Sequence, residues 1–427
     1  MSGRWWVFLL FSCAKVGPML LLSALPLVFL VPGGSLLPSP VAEARDLTTA
    51  LAMLTPADGE AGGELWLPAG RYEVPDSVVV RPAGDLLLEA GTVIAMGSGA
   101  AIKTMHKITA VGTAAEPILL TALDPQRPWG VVLLADPAGN GSLFEHCVVE
   151  YASQRRIDGT LYGGAITSSG VELTLRDCWV HDIPGEDGVN VDRARAEILF
   201  CTFDRCPDAI DFDGSRGGVV ANCLIRDSID DGVDLGEGSV SSVHHNVILR
   251  SADKGISVGE GSNSDIYNNL IGECLTGIAI KDRSDPWVRN NTIVGCESGV
   301  RAYEKNPFQG GGRGQVIDTI VWASTLVSVD LDAKSTTAFY HCDIAGGWAG
   351  NGNIDADPGF VSFAGMDNLL ATGSPCIDAG LPGGVDALSD WYSEWPGGLA
   401  PNGPVADIGA YGGRDNDGWL LGYGRRE

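Results

Sequence analysis

Three aspartates, Asp187, Asp208 and Asp231, stand at steps of 21 and 23 residues, and Lys254 follows after 23 more. Three residues beyond each lies a second series, Asn190, Asp211, Asp234 and Ser257. If the chain returns to the same place at each step, these carboxylates stack in two columns. Neighbouring strands are ~4.8 Å apart. Two like charges at that spacing repel by about 3.5 kcal/mol at an effective dielectric of 20, and by about 1 kcal/mol when fully solvated. Such a stack calls for compensation. A divalent cation held by Asp208, Asp211, Asp231 and Asp234 would supply it, and calcium, which takes six to eight oxygen ligands, suits that donor set. A proton shared between paired carboxyls is the other route, and it is what acid hydrolysis requires. Lys254, with Asp253 beside it, interrupts the column where a base would be useful. The following coils bring Lys281, Arg301, Tyr303 and Lys305, which are suited to holding an anionic or ring-shaped ligand. The plainer reading is that outward Asp beside Gly caps backbone NH groups in turns.

The stacking follows from a repeat. Cys147, Cys178, Cys201, Cys223, Asn246, Asn269, Asn291, Asp318 and Cys342 are separated by 31, 23, 22, 23, 23, 22, 27 and 24 residues. Two places after each stands a large apolar residue, Val149, Val180, Phe203, Ile225, Ile248, Ile271, Ile293, Ile320 or Ile344. Period-two spacing puts both on one inward face of a strand. Five places on come Ala152, Ile183, Cys206, Ser228, Ser251, Cys274, Cys296 and Ala323, a mostly small column suited to a corner. The chain is therefore a solenoid.

Leucine-rich and hexapeptide frames are absent. What remains is an all-β chain forming a parallel β-helix of about 22 residues per coil, with three short strands in each. An inward Asn ladder can satisfy its amides on the coils above and below. Eight of the ten cysteines fall on the two small-residue columns, which makes them core thiols rather than disulfides or metal ligands.

Four regions follow: residues 1–44, a signal peptide or uncleaved anchor; 45–63, an N-terminal cap with a short helix over Leu47 to Leu54; 64–345, the β-helix; and 346–427, an irregular C-terminal cap and tail. Apolar runs near the start and the Ala42-Glu43-Ala44 site point to export, to the periplasm, cell surface or medium. A membrane enters only through an uncleaved anchor. The 54 acidic and 28 basic residues leave a formal charge of −26, which argues against a nucleic-acid partner.

Asp355-Ala-Asp-Pro-Gly-Phe360, Thr372-Gly-Ser-Pro-Cys-Ile-Asp-Ala-Gly380 and Asp407-Ile-Gly-Ala-Tyr411 resemble the closing segment of exported bacterial right-handed parallel β-helix repeat proteins, of the pectin-lyase-like superfamily. The resemblance implies a right-handed single-stranded β-helix. It also implies a polysaccharide partner, because active members of that group mostly act on polysaccharides along one sheet. Within it, calcium on the Asp columns with Lys254 or Asp231 in a catalytic role is similar to the arrangement of a calcium-dependent polysaccharide lyase or a hydrolase. The alternative to catalysis is a secreted or cell-surface protein that binds carbohydrate in an acidic groove. The coils are short and carry few insertions, which favours binding.

Overall fold

The chain is a right-handed parallel β-solenoid of about 13 turns spaced about 23 residues apart. It is described here from a computed structural model covering residues 44–54, 63–363, 366–387 and 405–423. Residues 1–43 of the expected signal segment 1–44 lie outside the described residues. Among the described residues no helix is long and apolar enough to cross a membrane.

Each coil contributes one strand to each of three parallel sheets, of 12, 13 and 11 strands. The first full coil runs Glu64–Leu67, Arg71–Val74 and Val79–Val80 before Asp85–Leu88 pairs with Glu64–Leu67. Strand side chains alternate in and out. In Asp208–Asp213, for example, Ile210 and Phe212 enter the core while Asp211 and Asp213 face outward. One continuous apolar core runs from Leu47 to Ile344. At its start the helix Leu47–Leu54 buries Leu47 and Leu51 over the first coil, as the sequence pattern predicts.

The inward ladder holds the register. Asn246 Oδ1 accepts from Cys223 N at 2.9 Å, Asn269 Oδ1 from Asn246 N at 3.1 Å, and Asn291 Oδ1 from Asn269 N at 3.0 Å. Each amide also donates backward, Asn246 Nδ2 to Val220 O and Asn269 Nδ2 to Val243 O. Every polar atom of the middle rung, Asn269, is therefore matched. The nine cysteines described are buried and free. In the coil after Asn291 the structure corrects the register. Asn291 N meets Thr319 Oγ1 at 3.4 Å, and Ile293 pairs with Val321, so Thr319 and not Asp318 carries the ladder. Ser324 accordingly replaces Ala323 in the second column. The cause is one extra residue in the longer coil.

Asp318 instead belongs to an outward corner column with His245, Asn268, Asn290 and His341, all left-handed with φ between 48 and 55°. The C-terminal segment docks there. Asn268 Nδ2 donates to Ala410 O and Gly412 O, both at 2.8 Å, Asn290 Nδ2 donates to Asp407 O, and Asp318 Oδ1 accepts from Leu381 N. The expected C-terminal cap meets the last coil where Trp348 packs on Phe339, Ile354 N bonds Cys342 O, Cys376 Sγ bonds Asp343 Oδ2 and His341 meets Ala379 O. The rest runs back along the flank, because the outward amides offer partners there.

Replacing Asn269 with Ala removes the acceptor of Asn246 N and Nδ2 and the donor to Val243 O together. We expect a loss of roughly 3 kcal/mol or more, against about 1 kcal/mol for Cys223→Ala, whose thiol behaves as a small apolar group. Urea unfolding of the two variants checks the difference.

Candidate functional site

The Asp columns lie on the outer face of the eleven-stranded sheet. Asp187 pairs with Asp208, Asp211 with Asp234, and Asp213 with Gly236, across the strands Asp187–Asp192, Asp208–Asp213 and Val233–Gly236. Asp187, Asp208, Asp211 and Asp213 floor an open trough of about 770 Å³ that also includes Glu186, Asp192 and Asp230. One wall is a hairpin, Arg155–Ile157 with Thr160–Tyr162. Its tip is Asp158-Gly159, with both residues at positive φ as a tight primed turn needs.

The turn-capping reading holds for part of the column. Asp208 Oδ1 accepts from Asp231 N at 2.7 Å, and Asp231 Oδ1 accepts from Lys254 N at 2.9 Å. Each carboxyl thus ties one oxygen to the next coil. Asn190 Nδ2 donates to Asp211 Oδ2 at 2.8 Å. Asp187 differs: it is 7% exposed and receives no hydrogen bond from a described side chain or backbone group.

Burial without compensation shifts these acids upward. Burial, reinforced by Glu186, Asp213 and Asp234, pushes Asp187 up to about 7. Asp208 reaches about 8 through burial and the neighbouring Asp231 charge. Asp213 reaches about 6 through burial and Glu237, and Asp211 is raised well above the carboxylate range by burial and Asp187. Asp231 rises only to about 6, because Lys254 opposes the effect of burial.

Lys254 is a counter-ion. Its Nζ lies 3.2 Å from Asp231 Oδ1 and also bonds Asp253, and the side chain is nearly buried. Burial alone would lower its pKa, but the Asp231 and Asp253 charges outweigh it and raise it. A protonated, doubly paired amine is not a base at neutral pH, so the geometry does not support the catalytic role expected of Lys254.

The four expected cation ligands do not gather at one point. The group whose carboxylate oxygens lie within 4.8 Å of one another is Asp208, Asp230 and Asp231; Asp211 and Asp234 sit beside it on the same face. Asp230 was missed because it precedes the aligned strand. Asp213 was missed because the aligned segment stops one residue short of it, and Asp192 lies in the same position one coil earlier. The hairpin had a signal: the 31-residue step from Cys147 to Cys178, against 22 or 23 elsewhere, and the Asp-Gly turn inside it.

The expected ligand-holding residues lie further along the same face. Lys281 is 2% exposed, with Nζ 3.9 Å from Asp234 Oδ1, and it lines a small hollow of about 100 Å³ with Asp213 and Lys305. Arg301 is paired with Asp330 at 3.0 Å and lies over the Tyr303 ring at 5.3 Å. Lys305 donates its backbone NH to Asp282 Oδ1. Of these four, Lys281 and Lys305 line the hollow beside the trough, and Tyr303 pairs with Lys281 on the next strand.

The model of the right handed beta helix region matches residues 163–313, the coils that carry the trough. No curated protein sequence matches the chain. Among solved structures it is similar to pectate lyase Pel9A, with TM-score 0.42 and 15% identity, covering 78% of this chain and 88% of that one. It is also similar to the Azotobacter vinelandii mannuronan C-5 epimerase AlgE6 A-module, with TM-score 0.35 and 15% identity over 73% and 90% of the two chains. The periplasmic alginate epimerase AlgG matches with TM-score 0.33 and 12% identity over 65% and 76%.

The raised acids set the pH dependence of stability. Carboxyls that titrate near 3.8 in the unfolded chain hold protons to about pH 7 or 8 in Asp187 and Asp208. The folded state therefore binds the extra protons, and the stability they contribute is full below the unfolded value and is lost as pH rises through the folded ones. Between pH 6.5 and 8.5, in metal-free buffer, we expect the melting temperature to fall by roughly 5 °C, and Asp208→Asn to flatten that fall. Differential scanning calorimetry across the range checks both.

Proposed function

We propose that this chain is an exported β-helix protein that binds a uronate-containing polysaccharide in the acidic trough, through calcium held by Asp208, Asp230 and Asp231. The observation that carries this reading is the approach of those three carboxylates to within 4.8 Å of one another at the edge of an open trough. Two of them, Asp208 and Asp231, are pushed up by burial, so their ionised forms lack enough compensation from the protein. An oxygen-only donor set with three carboxylates fits a hard cation such as calcium, with its remaining positions open to water or ligand oxygens. When bound, calcium supplies positive charge that can accept a uronate carboxylate in a site that would otherwise repel it.

The residues of the chain do the rest. Asp187, Asp211 and Asp213 line the floor and offer hydrogen-bond positions for sugar hydroxyls, as acceptors when ionised and donors when protonated. Lys254 fixes the Asp231 carboxylate by pairing with it. The same pairing favours binding over the lyase alternative, since that reaction needs an unprotonated base beside the uronate.

Affinity gels containing polygalacturonate test the reading. Retention is expected in calcium and not with a chelator, with a loss of roughly tenfold or more in affinity for Asp208→Asn and Asp230→Asn. Asp227→Asn, at the corner after the strand Leu224–Arg226 of the thirteen-stranded sheet, should bind normally. Calcium-independent retention, or normal retention of the Asp208 and Asp230 variants, contradicts the calcium site. Absorbance of an unsaturated product is expected to stay flat; its appearance would restore the lyase alternative.

A further inference from the structure

The outer face of the eleven-stranded sheet is not open along its length. Its first three strands, Val79–Val80, Ala101–Thr104 and Val132–Leu134, are covered by the hairpin that walls the trough. Ile157 of the hairpin, 2% exposed, packs with Ala101, Val131 and Leu133 of that face, and Val79 and Tyr162 close around them. The tip is tied down as well. Asp158 bonds Lys103 Nζ at 2.7 Å and Arg81 Nη2 at 2.9 Å, and Arg155 donates to Ser77 O. A small apolar cluster and three polar anchors make this a fixed wall.

The other end narrows to the small hollow of about 100 Å³ lined by Asp213, Asp234 and Lys281. In the Asp211 and Asp234 column, the next two positions, Ser257 and Ala279, are fully buried although they point outward. Lys281, in the adjoining column, is 2% exposed. The open part therefore lies over the strands Gly164–Ser169, Asp187–Asp192 and Asp208–Asp213, two intervals of ~4.8 Å or about 10 Å. A polymer lying along the columns would have to pass through the hairpin at one end.

We propose that the trough receives the end of a polysaccharide chain, a few saccharide units long, and not its interior. This rests on the binding reading given above and adds the part of the polymer that is recognised. The terminal units would lie on Asp187, Asp208 and Asp211 with the chain end facing Leu161 and Tyr162 of the hairpin, and the remainder would leave upward into solvent.

The test uses the full-length protein in calcium with polygalacturonate shortened stepwise by mild acid, so that chain ends multiply while the mass of sugar stays constant. End recognition predicts that the half-saturating mass concentration falls in proportion to mean chain length, tenfold for tenfold shortening. A half-saturating mass concentration that is the same at every length overturns this inference and leaves the binding reading intact. Failure to bind at any length overturns both.

Discussion

Parallel coils in register place equivalent residues ~4.8 Å apart, and every other feature of this protein answers to that spacing. Inside, the spacing is an advantage. A buried amide finds its complement on the adjacent rung, so Asn246, Asn269 and Asn291 form a closed chain of hydrogen bonds in an otherwise apolar core. Thiols serve in the neighbouring rungs because they are small and need no partner. Outside, the same spacing forces like charges together. On the thirteen-stranded sheet the problem is solved by alternating sign, with Arg205 on Asp182, Arg226 on Asp204 and Arg250 on Asp227. On the eleven-stranded sheet, from Asp187 to Asp234, it is left unsolved until Lys254.

That contrast gives the trough its chemical meaning. A structural ladder would be balanced as the other sheet is, and the chain has the residues to do it. Instead, the buried Asp187 and the partly buried Asp208, Asp211 and Asp213 lie beside one another and hold protons well above the usual range. The protein thus keeps a strip of groups whose burial favours the protonated form. Lys254 ends the strip by pairing with Asp231, and the hairpin ends it on the other side. The result is a bounded acidic trough on one sheet of a solenoid whose neighbouring sheet pairs its charges.

Much of this was legible in the sequence because register is a property of spacing. The ladder gave the coils, the corner columns and the pairing of Asp187 with Asp208 and of Asp211 with Asp234. It failed by one residue at Asp318, where an extra residue in a longer coil moved the rung to Thr319 and turned Asp318 outward to hold the C-terminal segment. What spacing does not carry is which side-chain atoms meet. Asp230 joins Asp208 and Asp231 from a turn outside the strand alignment, and Lys254, a candidate base by its column, is an ion-pair partner by its contacts. The course of the C-terminal segment along the flank depends on amides presented by left-handed corner residues, and no local pattern in residues 346–427 announces it.

The central claim is that the trough holds protons it will exchange for a divalent cation. The direct measurement is calcium titration of the metal-free protein at pH 7 in two buffers of different ionisation enthalpy, from which calorimetry gives the number of protons released per calcium bound. The account predicts binding of one calcium with net proton release, both lost in Asp208→Asn. Calcium binding with no proton release, or no calcium binding at all, would contradict it.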